Sequence, residues 1–153
     1  MNISMLLEQI EKTFEGHIQY YNSALHGLDH LRQVSQLAGK IASVCGVDVE
    51  SAMLAGFLHD AGRTDDFGGN EHALDSAILA RPLLIRLYPR VDVDKVCYAI
   101  SRHADGMTTD DPLIGSLWDA DRLLLRRLGM TVNPRLLSTA EGKRILMEWE
   151  DCE

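Results

Sequence analysis

A His59-Asp60 pair closes the run Ala52-Met53-Leu54-Ala55-Gly56-Phe57-Leu58. As a helix this run is apolar on every side, which marks a central, buried element. A carboxylate at the end of such a helix loses its hydration. It must be paired, protonated or bound to a metal ion. Within a turn of the pair the only basic residue is Arg63.

Two further polar residues fall on apolar faces. The stripe Val34, Ala38, Ile41, Cys45 steps back by four to His30, and by four more to His26. His30 therefore belongs at the inward N-terminal end of its helix, with His26 one turn below it. Asp121 lies three or four residues from Leu117, Trp118, Leu124 and Leu125, in the middle of an apolar face. Asp119 is about 200° further around that helix and is expected outward or at the rim. An isolated ionised Asp121 in that position would cost several kcal/mol. Two histidines and two aspartates thus point inward from three helices. Divalent cations of borderline softness take such imidazole and carboxylate ligands, and the interior of a helical bundle is a natural place for them. The plainer alternatives are a capping His-Asp pair, a buried histidine bonded to a carbonyl, and an Asp121–Arg ion pair. His103 continues the face of Val93, Val96, Cys97 and Ile100, and would otherwise be a helix-end histidine favoured by the dipole. His72 opens a helix without lying clearly on its stripe. His17 reads as structural, Trp118 and Trp149 as packing residues, and Asp65-Asp66 as part of a solvated loop.

The elements that must position these residues are all helices. Periodicity and caps predict them at 3–21, at 28–45 with Gly46 as terminator, and from an Asp48 cap to about Gly62. Others follow at about 71–87, from an Asp92 cap to about Ala104, at 113–128 ending on Gly129, and from a Ser138 or Thr139 cap to about Trp149. Thr64–Asn70 and Asp105–Pro112 read as loops. Alternating β-branched runs are nearly absent. The expectation is all-α: a compact single-domain bundle of six or seven helices over 1–153, with its core at about 24–130 and its last helix at about 138–150.

Length and composition agree. The chain has 153 residues and 46% hydrophobic residues, enough for one core. A net charge of −8 disfavours nucleic-acid polymers and anionic membranes as partners. Three cysteines, Cys45, Cys97 and Cys152, are odd in number and widely spaced, so a disulfide framework is not expected. No apolar run approaches membrane-span length, and residues 1–14 carry Glu8 and Glu11 in place of a signal-peptide core. The expected setting is the cytoplasm. The oligomeric state is left open.

Three segments carry a family resemblance: Leu28-Asp29-His30-Leu31-Arg32-Gln33-Val34, Phe57-Leu58-His59-Asp60-Ala61-Gly62-Arg63 and Asp119-Ala120-Asp121-Arg122-Leu123-Leu124. In order they resemble the H…HD…D pattern of HD-domain metal-dependent phosphohydrolases, across about His26 to Leu128. The resemblance implies His30, His59, Asp60 and Asp121 as ligands of one metal, the same four that the face analysis selects. His72 and His103 resemble the two extra histidines of binuclear members, in which Asp60 would bridge two ions. The 5′-nucleotidase branch carries a Glu where this chain has Arg63, and the Gly-Tyr-Pro signature of the cyclic-dinucleotide branch is missing.

The resulting expectation is hydrolysis of a small phosphorylated compound, with a nucleotide as one candidate, by a water activated on Mn, Co, Ni, Mg, Zn or Fe, with one ion or two bound. In that expectation Arg63 and Arg122 hold the phosphate, and His103 donates a proton or binds the second ion. Asp119 orients a ligand, and the 64–70 loop closes over the substrate. Two rival readings are a di-iron oxygenase and a non-catalytic binding module.

Overall fold

The computed structural model describes residues 2–152. Seven α-helices follow one another: α1 Ile3–Phe14, α2 Leu28–Cys45, α3 Val49–Leu58, α4 Glu71–Leu87, α5 Val93–Arg102, α6 Pro112–Leu123 and α7 Ala140–Asp151. Short 3₁₀ turns cover Leu124–Leu128 and Pro134–Leu136. No strand occurs among the described residues. Nor is any helix among them long and apolar enough to cross a membrane.

Helix starts follow their caps. The Asp48 side chain accepts from the Ser51 N–H at 3.2 Å, Asp92 from Lys95 at 3.1 Å, and Asp111 from Leu113 at 2.9 Å. Thr139 accepts from Gly142 at 2.8 Å. Each bond satisfies a backbone donor that the first turn leaves unpaired.

Helix ends differ more from expectation. α1 stops at Phe14, not near residue 21, because Gly16 takes a left-handed φ of +81° and turns the chain. The chain that follows is extended, yet it still delivers Ile18 to the core at 8% exposure. α3 ends at Leu58 and leaves His59 to Gly62 in a turn. The helix expected over 113–128 is α-helical only to Leu123 and then tightens to 3₁₀ pitch.

α3 is the centre of the molecule. All of Ser51 to Leu58 is buried, and the helix packs against α1, α2, α5 and α6. Burying each of its large apolar side chains contributes roughly 1.5–3 kcal/mol. Phe57 meets Phe14 and Tyr20 at ring-centroid distances of 6.1 and 6.0 Å. The α2–α3 contact is unusually close because residue 56 is glycine. A Cβ there would lie 2.8 Å from the Ser35 Cα. Beside it the Ser35 hydroxyl donates to the Met53 carbonyl at 2.8 Å. This backbone-to-backbone seam sets His30 of α2 against His59 at the end of α3.

A second seam brings in α4. A Cβ on Gly62 would lie 2.7 Å from the Ser76 nitrogen, and the Gly62 N–H donates to the Ser76 hydroxyl at 2.9 Å.

One sequence expectation is corrected here. Asp119 is not outward: it is fully buried, between α6 and the start of α7. It accepts from the Ser138 N–H at 2.7 Å, the Thr139 N–H at 2.8 Å and the Thr139 hydroxyl at 2.6 Å. The helix wheel assumes one solvent side, whereas α6 packs against α2, α3 and α5 and also against α7. Asp119 anchors α7 and orients no residue of the site.

Candidate metal centre

The sequence-selected residues His30, His59, Asp60 and Asp121 converge. His30 stands in the first turn of α2, His59 and Asp60 in the turn closing α3, and Asp121 in the last turn of α6. The His30 and His59 Nε2 atoms face each other at 3.1 Å. Asp60 Oδ2 lies 3.4 Å from both of them. Asp121 Oδ1 lies 3.5 Å from His30 Nε2 and 3.2 Å from His59 Nε2. His59 and Asp60 are buried, whereas the Asp121 side chain keeps 23% exposure and opens to solvent.

The hydrogen bonds around these groups fix what each atom offers. His59 Nδ1 sits 2.6 Å from the Gly56 carbonyl, and His103 Nδ1 sits 2.7 Å from that of Ile100. A carbonyl only accepts, so each Nδ1 carries the hydrogen, and Nε2 is a lone pair in the neutral ring. Asp60 Oδ1 has no hydrogen-bond partner. Nearby are only His72 Nε2 and His103 Nε2, each at 3.4 Å.

Four potential ligand atoms thus crowd one point, and a buried carboxylate oxygen has no hydrogen-bond donor. A divalent cation fits that donor set, with its mix of imidazole and carboxylate. Among the described residues, two overlapping groups could hold one: His30–His59–Asp121 and His59–Asp60–His103.

Without a cation the cluster binds protons instead. Burial pushes the His59 pKa down, but Asp60 and Asp121 more than offset this and raise it to about 10. Burial pushes the pKa values of Asp60 and Asp121 up, yet His59 and its neighbours hold both well below the ordinary range. His72 is driven the other way. Burial and the Arg63 charge outweigh Asp60, lowering it to about 4 and leaving the ring neutral.

A cavity of about 230 Å³ opens over the cluster, and His26, Arg63, His72, His103, Asp121 and Arg127 line it. Arg63 is 8% exposed, and its Nε approaches Asp60 Oδ2 at 3.3 Å. His26 is held by Asp66, which accepts from His26 Nδ1 at 2.7 Å and from the Ser23 hydroxyl at 2.7 Å. Asp66 is therefore a tether between the 64–70 loop and the start of α2, not merely a solvated loop residue.

Arg122 requires a correction. It does not line the cavity: its Nη1 donates to the Leu136 carbonyl at 2.5 Å, and its guanidinium lies 5.5 Å from the centre of the Trp118 ring. The arginine that joins Arg63 at the cavity is Arg127, which the sequence reading passed over. Its Nη2 lies 2.7 Å from His30 Nδ1 and 2.5 Å from the Leu25 carbonyl. A 100° wheel puts Arg127 off the Asp121 face. In a 3₁₀ segment residues three apart eclipse, so Arg127 shares the side of Leu124.

Comparison with known proteins follows the same outline. The HD domain family model matches residues 27–140. Ribonuclease Y of Mycoplasma mycoides is 36% identical over 110 residues, covering 65% of this chain and 26% of that protein. Ribonuclease Y of Wolinella succinogenes is 40% identical over 73 residues, covering 46% of this chain and 14% of that protein. The chain therefore spans about a quarter or less of the length of these curated relatives. The crystal structure of a predicted HD superfamily hydrolase from an uncultured Thermotogales bacterium superimposes with a TM-score of 0.77 at 25% identity, over 99% of this chain and 92% of that one. Family and neighbour together support a metal-dependent hydrolase. With a match over most of its length and that fold, the chain belongs to the HD domain family.

Proposed function

We propose that the protein hydrolyses a phosphoester of a small molecule of about nucleotide size, using one divalent cation held by His30, His59, Asp60 and Asp121. The observation that carries this reading is the facing of four donor atoms at 3.1–3.5 Å, with Asp60 Oδ1 left without a hydrogen-bond donor. When bound, such a cation supplies Lewis acidity, lowering the pKa of water and drawing charge from a phosphoryl oxygen.

The chain's own residues do the rest. His59 and His103 are locked in one tautomer by their carbonyl partners and present Nε2 inward. In its imidazolium form, with a hydrogen on Nε2 as well as on Nδ1, His103 is the group that hands the Nε2 proton to the leaving oxygen and returns to the neutral ring. Arg63 and Arg127 bring guanidinium groups to the cavity, where they orient a phosphate by charge-assisted hydrogen bonds. A cavity of about 230 Å³ admits a phosphoryl group and its immediate substituents, with the remainder of the substrate outside. The working unit is the single HD-type domain, and three free thiols suit a reducing compartment such as the cytoplasm.

The relatives named Ribonuclease Y favour a second reading, in which the phosphoester is a linkage in RNA. A net charge of −8 weighs against long polynucleotides and leaves short ones open.

The test is elemental analysis of purified protein, joined to a phosphate-release screen of nucleoside monophosphates, aryl phosphates, phosphodiesters and short RNA. About one divalent ion per chain is expected. His30→Ala and Asp121→Ala should lose both the ion and turnover. Full metal and full turnover in Asp121→Ala would refute the reading.

A further inference from the structure

We propose that Arg63 is a built-in second cation: its guanidinium takes the His72 Nε2 lone pair that a second metal ion would need, and it limits this centre to one. The inference rests on the metal-centre reading above and concerns the number of ions, which that reading does not explain.

Its basis is where the Arg63 hydrogens go. The side chain is 6% exposed. Nη1 donates to the Asp65 carbonyl at 3.2 Å and to the Phe67 carbonyl at 3.0 Å, which accounts for both of its hydrogens. Nη2 lies 3.2 Å from His72 Nε2, while Nε makes an ion pair with Asp60 Oδ2 at 3.3 Å without a hydrogen bond. Arginine only donates, so His72 Nε2 is the acceptor in that pair. A second ion between Asp60 Oδ1 and His72 would require the same Nε2 lone pair, since Nε2 is the ring nitrogen that lies 3.4 Å from Asp60 Oδ1. The guanidinium already holds it.

Charge points the same way. The cluster has two carboxylates, Asp60 and Asp121, and one divalent ion balances both. Arg63 then adds a fixed positive charge in a pocket that water scarcely reaches, and a further dication would meet it at close range. His72 is also absent from both residue groups whose donor atoms lie close enough together to share an ion. Nη2 keeps one hydrogen beyond the one aimed at His72. Arg63 lines the cavity, so that N–H is free to offer a substrate phosphate the positive contact that a second ion would otherwise make.

The experiment strips the full chain with chelator, then titrates it with Mn²⁺, following metal content and the electron paramagnetic resonance spectrum. The wild type should saturate at about one ion with an uncoupled spectrum. Arg63→Met keeps the apolar stem and deletes the charge and donors. It should bind a second Mn²⁺ roughly 100-fold more tightly than the wild type does, and show the dipolar splitting of a close pair. Adding His72→Ala to Arg63→Met should return it to one ion. Arg63→Lys, which keeps the charge, should stay at one. Should the methionine substitution unfold the chain, Arg63→Gln retains N–H donors for the Asp65 and Phe67 carbonyls and takes its place. Two ions in the wild type, or one ion in every folded Arg63 variant under excess Mn²⁺, would overturn the proposal. No ion in any variant would instead sink the metal centre itself.

Discussion

Removing the metal should make the stability of this protein fall as pH rises. In the cation-free cluster His59 is fully buried, and burial alone would lower its pKa. Asp60 and Asp121 reverse that and raise it to about 10, against an ordinary value of 6.5. The proton sits on Nε2, because Nδ1 is committed to Gly56, and it faces the two carboxylates, Asp60 Oδ2 at 3.4 Å and Asp121 Oδ1 at 3.2 Å. A histidine whose pKa is higher in the folded than in the unfolded chain stabilises the fold fully below the unfolded pKa. That contribution disappears as pH climbs through the folded pKa. The window therefore runs from 6.5 to about 10. At about 1.4 kcal/mol per pH unit the whole contribution is capped at roughly 5 kcal/mol, of which about 2–3 kcal/mol is lost between about pH 7 and pH 9. For a chain of this length that corresponds to a fall in Tm of roughly 5–10 °C. Asp60 and Asp121 stay ionised throughout and add no slope of their own in this range. The assay is differential scanning calorimetry of chelator-treated protein over that range, repeated with saturating divalent ion. Once a cation holds His59 Nε2, the ring is neutral and the trend should vanish. Calorimetric titration in buffers of different ionisation heat should show about one proton expelled per ion near neutral pH. A Tm of the stripped protein that stays flat or rises from pH 7 to 9 would refute the account of the cluster.

Other perturbations separate the roles of neighbouring residues. Gly56→Ala places a Cβ 2.8 Å from the Ser35 Cα. It should cost about 2–3 kcal/mol by forcing α2 off α3, and equilibrium dialysis should show weaker metal binding because His30 moves away from His59. Asp119→Ala orphans three buried donors, the Ser138 and Thr139 amides and the Thr139 hydroxyl. Urea unfolding should register a loss of about 3 kcal/mol, while metal content per folded chain stays unchanged. Arg127→Ala should raise KM for an active phosphoester roughly 10–100-fold. Arg122→Ala should lower Tm and leave KM near the wild-type value.

Much of this site was legible in the sequence because it sits where local rules are strong. The run Ala52 to Leu58 is apolar all round, and only a helix buried on all sides can carry it. Its polar ending then had to be special. His30 and Asp121 stood out as polar residues on apolar stripes, and the structure brings both to His59. Cap residues carried the helix starts: Asp48, Asp92 and Thr139 each bond the backbone expected of them. The helix ends were read less well, since they depend on where the chain must turn next. Ile18 reaches the core from an extended segment beyond Gly16, and a stripe of apolar residues cannot show that the helix has already stopped.

The misread residues were misjudged from local information alone. Asp119 was placed by wheel position with a single solvent side, Arg122 was chosen by residue type, and Arg127 was passed over. α6 has no free side to give Asp119, because α7 covers the face opposite the site. Beyond Leu123 the pitch tightens, so the wheel loses register where Arg127 lies. Residue type told what Arg122 and Arg127 could each do with a phosphate, and for that purpose they were equal. Neighbours distant in sequence decide between them. Leu136 and Trp118 occupy Arg122, while Arg127 is held at the mouth of the cavity by Leu25 and His30. Those contacts span up to 102 residues along the chain, well beyond any window in which periodicity carries information.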